Sequence, residues 1–265
     1  MLVSDTHIGC RLGLCPEKGV PLDEGFYHPS RAQKIVWKWW EEFWRWVEHT
    51  TNGEPYSVVF NGDALDGVHH SSVTQWSHNM EDQRRAAQMV LGPVAKKAAR
   101  YYHIRGTEAH VGKSGQDEEA LGKALGAIPN EDGQHARWDL WLRSGPYLGH
   151  YTHHIAGVHS PMSEATGIHA ELVQAFVEAG RWGDEPPDYV ARSHRHRQYE
   201  VRFATQKGYA LGVISPAWQL KTPFTHKITG ARMTQPQFGG VILVAGDDQL
   251  YTKSFVRRIA RSREE

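Results

Sequence analysis

The first half of the chain alternates short apolar runs with longer amphipathic stretches. The runs Ser57–Phe60 and Tyr101–Ile104 are rich in β-branched and aromatic residues, and each leads into a polar segment that contains glycine. This composition is typical of buried strands in a parallel sheet. A further strand is predicted at Met1–Ser4. Apolar residues recurring at three- and four-residue steps predict the intervening helices, which are Arg31–His49, Glu81–Ala99 and Gln116–Ala127.

The second half changes to a succession of short strands around one predicted helix, Glu164–Ala179. Strands are predicted at residues 138–142, 147–153, 189–191, 199–204, 209–214, 241–244 and 251–256. The turn residues Ala245–Asp248 suit a hairpin between the last two of these strands. This pattern indicates an α/β fold with two sheets face to face and helices outside. Because we find neither a repeat nor a low-complexity linker, we expect a single domain over residues 1–265.

Histidine is unusually frequent: the chain has 17, many of them beside Asp, Gly or another His. Histidine is the commonest metal ligand and the usual acid or base near neutral pH, so this bias favours a metal site. The 30 basic and 30 acidic residues give a formal net charge of zero. This balance argues against a uniformly basic surface for non-specific nucleic-acid binding, but it leaves room for a local basic groove.

The cysteine content, the N-terminal sequence and a tryptophan-rich stretch bear on the cellular compartment. The two cysteines, Cys10 and Cys15, are too few for a disulfide framework and fit a reducing environment. The N-terminus lacks the pattern of a signal peptide, and the tryptophan-rich stretch Trp37–Trp46 carries too many charges to span a bilayer. We therefore expect a soluble, cytoplasmic protein without membrane contact. The oligomeric state is left open.

Five polar segments lie where predicted strands end. They are Asp5–His7, Gly62–Gly67, Arg105–His110, His150–His154 and Ser193–His196. Ligands of open α/β sheets bind at the carboxyl ends of the strands, so this placement is meaningful. Asp5 and His7, alternate residues leaving a strand, can converge on one ion, and Asp63 at a strand tip can bridge two cations.

The ordered set of motifs resembles the calcineurin-like metallophosphoesterase superfamily. The motifs are Asp-x-His, Gly-Asp-x-x-Asp, a Gly-led loop, a strand-end histidine and x-His-x-His, and they run from Asp5 to His196 in the right order. The resemblance implies the metallophosphoesterase fold, a four-layer sandwich of two mixed β-sheets flanked by helices. The overall pattern resembles phosphoesterases encoded by bacteriophages and prophages and, more distantly, DNA-repair exonuclease subunits.

The resemblance also implies metal ligands, residue by residue. Asp5, His7 and His196 would bind a first ion, and Asp63 would bridge both ions. His194 would bind the second ion together with one histidine of the fourth segment.

For that histidine, His153 is favoured, His154 is second and His150 is third. Asp66 matches the last acid of the second motif and is a catalytic candidate. A role in supporting a ligand or stabilising the turn is favoured for Asp66 over direct ligation.

The third segment departs from the superfamily pattern, which usually has Gly-Asn-His followed by an acid. Thr107 stands where the asparagine ligand is expected, and Glu108 stands where the catalytic histidine is expected. Our hypothesis is that Glu108 or Thr107 supplies the missing oxygen ligand. His110 would then take the place of the catalytic histidine near the leaving group. The alternative is that this loop has lost its role and the second metal binds weakly.

The implied chemistry is hydrolysis of a phosphoester by water that two divalent ions activate. Mixed imidazole and carboxylate ligands suit Mn, Fe or Zn better than an all-oxygen Mg site, and the ligands alone do not choose among the three. Two divalent ions are expected, with Mn preferred and Fe, Zn or Ni as alternatives. Arg105, Arg195 and Arg197 are candidates for contacts with phosphate. A phosphodiesterase or nuclease acting on DNA or RNA is favoured, with Trp76 and Trp182 as exposed aromatics for stacking. The alternatives are a phosphomonoesterase for nucleotides, small phosphoesters or phosphoproteins, and a binding scaffold without catalysis.

Overall fold

The computed structural model describes residues 1–69, 72–112, 114–155, 163–227, 234–246 and 249–260. The helices are α1 (Arg31–Thr51), α2 (Met80–Lys97), α3 (Glu108–Val111), α4 (Gln116–Ala124), α5 (Glu164–Trp182) and α6 (Pro223–Lys227). The strands are β1 (Leu2–Val3), β2 (Val20–Pro21), β3 (Phe26–Tyr27), β4 (Ser57–Asn61), β5 (Arg100–Ile104), β6 (Ala136–Arg137), β7 (Asp139–Ser144), β8 (Tyr147–Thr152), β9 (Tyr189–Arg192), β10 (Tyr199–Thr205), β11 (Gly208–Ile214), β12 (Phe238–Ala245) and β13 (Leu250–Arg257). None of the helices in these ranges combines the length and the hydrophobicity that a membrane crossing requires.

Two mixed sheets form the centre of the molecule. The first has the order β13-β12-β1-β4-β5-β6, and the second has the order β10-β11-β9-β8-β7. Strands β1, β4, β5 and β6 run parallel, as do β8, β9 and β11, whereas β12, β13, β10 and β7 are antiparallel to their neighbours. A short hairpin, β2–β3, stands apart from both sheets.

The buried side chains form successive layers. One cluster joins the inner faces of the two sheets and includes Leu2, Val59, Ile104, Leu140 and Tyr189. A second cluster packs α1 and α2 on the first sheet, and a third packs α5 on β9, β10 and β11. The predicted fold class, two mixed sheets face to face with helices outside, is therefore confirmed.

Helix α1 illustrates how local sequence produces this layering. The Ser30 hydroxyl accepts a hydrogen bond from the Gln33 backbone amide, and Gln33 Oε1 accepts one from the Ser30 backbone amide, which completes a capping box. The buried face consists of Gln33, Val36, Trp40, Phe43 and Val47, and its apolar members recur at three- and four-residue steps as predicted. The helix consequently lies flat on the first sheet.

Most predicted elements differ from the structure by one to three residues at their ends, and two of these differences have a clear structural cause. The predicted strand 138–142 is divided, because the chain leaves the first sheet after β6 and enters the second sheet at Asp139, with Trp138 between them. Helix α4 ends at Ala124, before the predicted Ala127, because Gly126 adopts a positive φ of 69° that ends the helix. The hairpin between the last two strands is confirmed, although Asp247 and Asp248 of its turn lie outside the described residues.

Candidate metal centre

The five predicted segments meet at the edge of the sandwich where the parallel strands of both sheets end. Asp5 and His7 follow β1, Asp63 follows β4, and Thr107 follows β5 in the first sheet. From the second sheet, His153 follows β8, and His194 and His196 follow β9. We call this side the carboxyl edge. Parallel strands present their carboxyl ends together, which explains why side chains so distant in sequence meet here.

Asp5, His7 and His196 form one group of potential ligands. The Nε2 atoms of His7 and His196 are 3.2 Å apart, and Asp5 Oδ1 lies 3.2 Å from His196 Nε2 and 3.8 Å from His7 Nε2. Their ligand atoms are mutually close enough to hold one metal ion. Asp5 and His7 are buried, and His196 is partly exposed.

Asp63, His153 and His194 form a second group beside the first. Asp63 Oδ2 lies 3.0 Å from His153 Nε2 and 4.0 Å from His7 Nε2, so this carboxylate stands between the two groups. The Thr107 hydroxyl donates to Asp63 Oδ2 over 3.0 Å and lies 3.2 Å from His194 Nδ1. Thr107 therefore contacts Asp63 and His194 of the second group.

Two buried atoms of the centre suit a cation. Asp5 Oδ1 and His153 Nε2 are each within 4 Å of an oppositely charged partner, yet neither forms a hydrogen bond of acceptable geometry. Buried polar atoms are rarely left in this state, and ligand atoms that converge on a metal ion are one reason for it. The donor set of imidazole and carboxylate suits divalent transition metals.

Oxygen atoms behind two of the histidines face the ring nitrogen that points away from the centre. His153 Nδ1 donates to the Asn61 carbonyl over 2.7 Å, which leaves Nε2 as the inward atom. His7 Nδ1 lies 3.5 Å from Asp66 Oδ1, and Gln75 donates to the other oxygen of Asp66 over 2.6 Å. Such partners fix the tautomer and orientation of metal-binding histidines. This placement supports the orienting role predicted for Asp66, which stays a prediction.

The backbone of the centre is strained at the ligands. Among the described residues, six non-glycine residues have a positive φ, and five of them are the predicted ligands Asp5, His7, Asp63, His194 and His196. Non-glycine residues adopt this left-handed region infrequently and at a cost of about 1–3 kcal/mol each. Such strain concentrates at functional sites, where the surrounding structure holds it in place.

Two glycines allow the strand-end loops to approach each other. A Cβ atom added at Gly106 would lie 2.0 Å from Asp63 Oδ1, and one added at Gly62 would lie 2.5 Å from His153 Nδ1. Gly62 also has a φ of 89°, which L side chains rarely adopt. These contacts explain why glycine precedes Asp63 in the second motif and Thr107 in the third.

Charges in the centre shift the pKa values strongly. Burial alone would lower the pKa of His7, but the nearby carboxylates of Asp5 and Asp66 raise it to about 10. Burial likewise opposes the charge on His153, but Asp63 and Asp5 raise the pKa of His153 to about 9. His194 is partly open to solvent, but desolvation of its ring by the surrounding protein and the charge of the nearby His153 lower the pKa of His194 to about 3. Without metal, the centre therefore holds protons on His7 and His153 that a cation must displace.

The side chains of the third segment lie partly in the centre and partly in solvent. His110 Nδ1 lies 2.7 Å from the Asp66 carbonyl, and the His110 ring centroid is 4.5 Å from that of His7. His110 can also form a ligand group with His7 and Asp63. Glu108, in contrast, is exposed. The structure thus brings His110 and Thr107 into the centre and leaves Glu108 at its rim, and the roles assigned to all three stay predictions.

The fourth segment separates its three histidines in the same way. His153 is buried in the centre, whereas His154 is exposed, with its ring 5.4 Å from that of His194. His150 is stacked on Trp141 and contacts Arg192, which lies away from the ligand groups. Of the three histidines, His153 alone lies within the second ligand group, and its role as a ligand stays a prediction.

Sequence reasoning missed His69, which follows the second motif. His69, Asp66 and His110 form a further group of potential ligands, and the ring of His69 contacts that of His110 at 4.6 Å. The pair His69-His70 in a chain with 17 histidines was the available signal. The expectation that Trp76 is exposed is wrong, because Trp76 is 9% exposed and stacks on Tyr27.

The predicted arginines also have structural partners. Arg105 is buried, donates to the Ser114 carbonyl and lies over the Trp138 ring. Arg197 pairs with Glu164. The guanidinium groups of Arg105 and Arg197 therefore already have partners within the protein.

A scan against protein families and a search of curated proteins give no match. Among solved structures, zinc-bound Vps29 from Entamoeba histolytica is similar at 9% identity and a TM-score of 0.41, covering 97% of this chain and 96% of that one. An archaeal phosphodiesterase is similar at 12% identity and a TM-score of 0.39, covering 96% and 98%. A predicted phosphoesterase from Streptococcus pneumoniae is similar at 12% identity and a TM-score of 0.35, covering 97% and 95%. Similarities this low assign no activity to the chain.

Proposed function

We propose that this chain is a metal-dependent phosphoesterase with a dinuclear centre, and that it hydrolyses phosphodiesters. One observation carries the proposal. Two groups of three ligand residues, Asp5–His7–His196 and Asp63–His153–His194, lie side by side with Asp63 between them. Two ions held in this way would be close neighbours, as the ions of two-metal hydrolases are.

The bound ions would supply Lewis acidity and a water molecule of lowered pKa. Asp63 would hold both ions, and Thr107, through its hydroxyl, would hold Asp63 and His194 in place. With its Nδ1 engaged by the Asp66 carbonyl, His110 would present Nε2 to the substrate and exchange a proton with the leaving oxygen. We propose Mn as the working metal, with Fe, Zn or Ni as alternatives.

The surroundings of the centre favour a diester over a monoester. His194, His154 and Glu108 are all exposed, so the centre opens toward solvent on the side of the second ligand group. Helix α4 packs against α2 and β6, beside the first sheet. An open centre accepts a phosphate that is substituted on both sides, whereas a monoesterase gains specificity from an enclosing pocket. We propose nucleic acid as the natural diester, and the phosphomonoesterase is the alternative.

The decisive experiment measures an aryl phosphodiester and an aryl phosphomonoester with Mn, Zn, Ni and Mg in turn. We expect kcat/KM to be higher for the diester, the highest rate with Mn, and two metal equivalents per chain. The matched variant Asp63→Asn should bind metal weakly and lose activity by about a thousandfold or more, because one neutral amide replaces the shared carboxylate. A higher kcat/KM for the monoester would favour the alternative. Two bound equivalents without turnover of either ester would indicate a binding scaffold instead.

A further inference from the structure

The segment between β11 and β12 crosses from the second sheet to the first at the carboxyl edge. Its Trp218 backbone amide donates to the Asp5 carbonyl over 2.9 Å. At its far end, the Gln237 amide donates to the His196 carbonyl over 2.9 Å. Both bonds end on predicted metal ligands. The described parts of this segment, residues 215–227 and 234–237, which we call the crossing segment, are therefore anchored directly beside the candidate metal centre.

The crossing segment presents an aromatic ring and positive charge to solvent. Phe224 is 68% exposed on α6, where a side chain of this size normally packs inward. Lys227 is exposed and stands three residues later, so it shares a face of the helical turn with Phe224. No aspartate or glutamate occurs from Ser215 to Gly246, although the whole chain is neutral. The crossing segment, which forms one flank of the centre, is thus both apolar and locally cationic.

A second exposed aromatic lies on the opposite flank of the centre. Trp138 is 51% exposed and sits between β6 and β7, where the chain also crosses between the sheets. The guanidinium of Arg105 lies 5.2 Å from the Trp138 ring centroid, so one face of the indole is backed by a cation. The Arg105 amide donates to the Arg137 carbonyl over 2.8 Å, which fixes Trp138 at the level of the carboxyl edge.

The strand order places the metal centre between these two flanks. In the first sheet the order is β12-β1-β4-β5-β6, and the candidate ligands follow β1, β4 and β5. The crossing segment leads into β12, and Trp138 follows β6. With about 4.8 Å between neighbouring strands, the four spacings from β12 to β6 measure roughly 19 Å. A stacked strand rises about 3.4 Å per nucleotide, so a single mononucleotide is too short to reach both flanks.

We infer that the substrate of this centre is a single-stranded polynucleotide that lies across the carboxyl edge, with one base on Phe224 and another on Trp138. Unpaired bases stack on exposed aromatic rings, and cations beside the rings attract the backbone. A duplex offers no such base faces. This inference rests on the proposed function, because it assumes that the phosphodiester lying over the two proposed metal ions is the bond that the protein cleaves.

Binding to metal-free protein tests the inference without turnover. Fluorescein-labelled dT12, U12, dT2 and a 12-base-pair duplex are titrated and followed by fluorescence anisotropy at 50 mM salt. We expect dT12 or U12 to bind at least tenfold more tightly than dT2 and than the duplex. The comparison of dT12 with U12 distinguishes DNA from RNA. Phe224→Ala and Trp138→Ala should each weaken binding of the preferred 12-mer about tenfold.

Trp182→Ala is the matched control. Trp182 is 75% exposed but ends α5, and the chain then enters β9 from the edge opposite the metal centre. We expect Trp182→Ala to bind the 12-mers within twofold of the unmodified protein. The inference would be overturned if Trp182→Ala lost as much affinity for the 12-mer as the other two variants. It would also be overturned if Phe224→Ala and Trp138→Ala bound the 12-mer within twofold of the unmodified protein.

Turnover separates this inference from the proposed function. With metal added, Phe224→Ala and Trp138→Ala should lower kcat/KM for dT12 or U12 about tenfold relative to kcat/KM for the small aryl diester. If the unmodified protein cleaves the aryl diester but binds no oligonucleotide, the inference fails and the proposed function stands. If it binds the 12-mers through both aromatic residues but cleaves no ester with any metal, the proposed function fails and the inference about binding stands.

Discussion

His110 differs from the other histidines of the centre in the way its ring is held. Its Nδ1 is 2.7 Å from the Asp66 carbonyl, so Nε2 is the nitrogen that remains for a substrate or an ion. Burial, together with the positive charge of His7, lowers the pKa of His110. A neutral imidazole next to the phosphate can exchange a proton near neutral pH.

His110→Asn tests this role. We expect kcat on the aryl diester to fall about a hundredfold, because proton transfer by a positioned side chain contributes 10²–10⁴-fold. Metal content should stay at the unmodified level, since His110 lies outside the two groups that we assign to the ions. His49→Asn, at an exposed position on α1, serves as the control and should change neither quantity. Loss of a metal equivalent in His110→Asn would show instead that His110 is a ligand.

The convergence of the candidate ligands could be predicted from the sequence because each motif is local. Asp5, His7, Asp63, His194 and His196 stand directly after apolar runs, and parallel strands bring such positions together. The sequence determines less securely whether His153 or the exposed His154 faces the centre. Successive side chains leaving a strand point in opposite directions, so the answer depends on the residue at which the strand ends. A shift of one residue in the predicted strand end would have reversed that choice.

Helix α4 supports the turn that carries Asp63. Glu118 is fully buried, its Oε1 accepts from the Ala64 amide over 2.8 Å, and its Oε2 lies 2.6 Å from His103 Nε2. The helix is thereby tied to β5 and to the residue that follows Asp63. The sequence predicted the helix from its periodicity, but not this tether, because a glutamate on a short helix is normally exposed.

Glu118→Ala should destabilise the metal-free protein by roughly 3 kcal/mol. The substitution leaves the Ala64 amide and His103 Nε2 buried without partners, and each such group costs about 1–3 kcal/mol. Urea unfolding measures the change, and the number of metal equivalents should also fall because the Asp63 turn is released. Glu178→Ala removes an exposed ion pair on α5 and should stay within about 0.5 kcal/mol of the unmodified protein. An equal effect of the two substitutions would exclude the tether.

The candidate metal centre joins the two sheets of the molecule. Asp5, His7 and Asp63 come from the first sheet, and His153 and His194 come from the second. The architecture could be predicted because strands and helices alternate in order. The exact seam between the sheets could not, since β6 is only two residues long and the hydrophobic pattern runs through Trp138 without a break.

The stability of the metal-free protein should depend on pH because His7 and His153 of the candidate centre change protonation. The pKa of His7 is about 10 and that of His153 about 9 in the folded protein, against 6.5 as the ordinary value. Their protonation therefore stabilises the fold fully below pH 6.5, and that stabilisation is lost as the pH rises through about 9 to 10. We expect the melting temperature without metal to fall by about 5 °C or more between pH 7 and pH 9.5.

Metal should reverse this trend. Protons compete with metal for the same nitrogen atoms, so at a fixed free concentration of Zn²⁺ the stabilisation by metal should grow from pH 6 to pH 8. Scanning calorimetry with and without a chelator measures both slopes. The paired variant His7→Asn/His153→Asn should show a flatter metal-free profile. An unmodified protein whose metal-free melting temperature rises over this range would contradict the assigned protonation.

The left-handed backbone at five ligands also limits how this centre can diversify. Asn, Asp, His and Gly occupy that region with least strain, and β-branched residues scarcely tolerate it. Drift or mutagenesis at Asp5, His7, Asp63, His194 and His196 is thus confined to a small alphabet that largely consists of metal-binding side chains. Variation that alters metal preference without disrupting the loops would therefore arise at Thr107 or His153, neither of which has a positive φ.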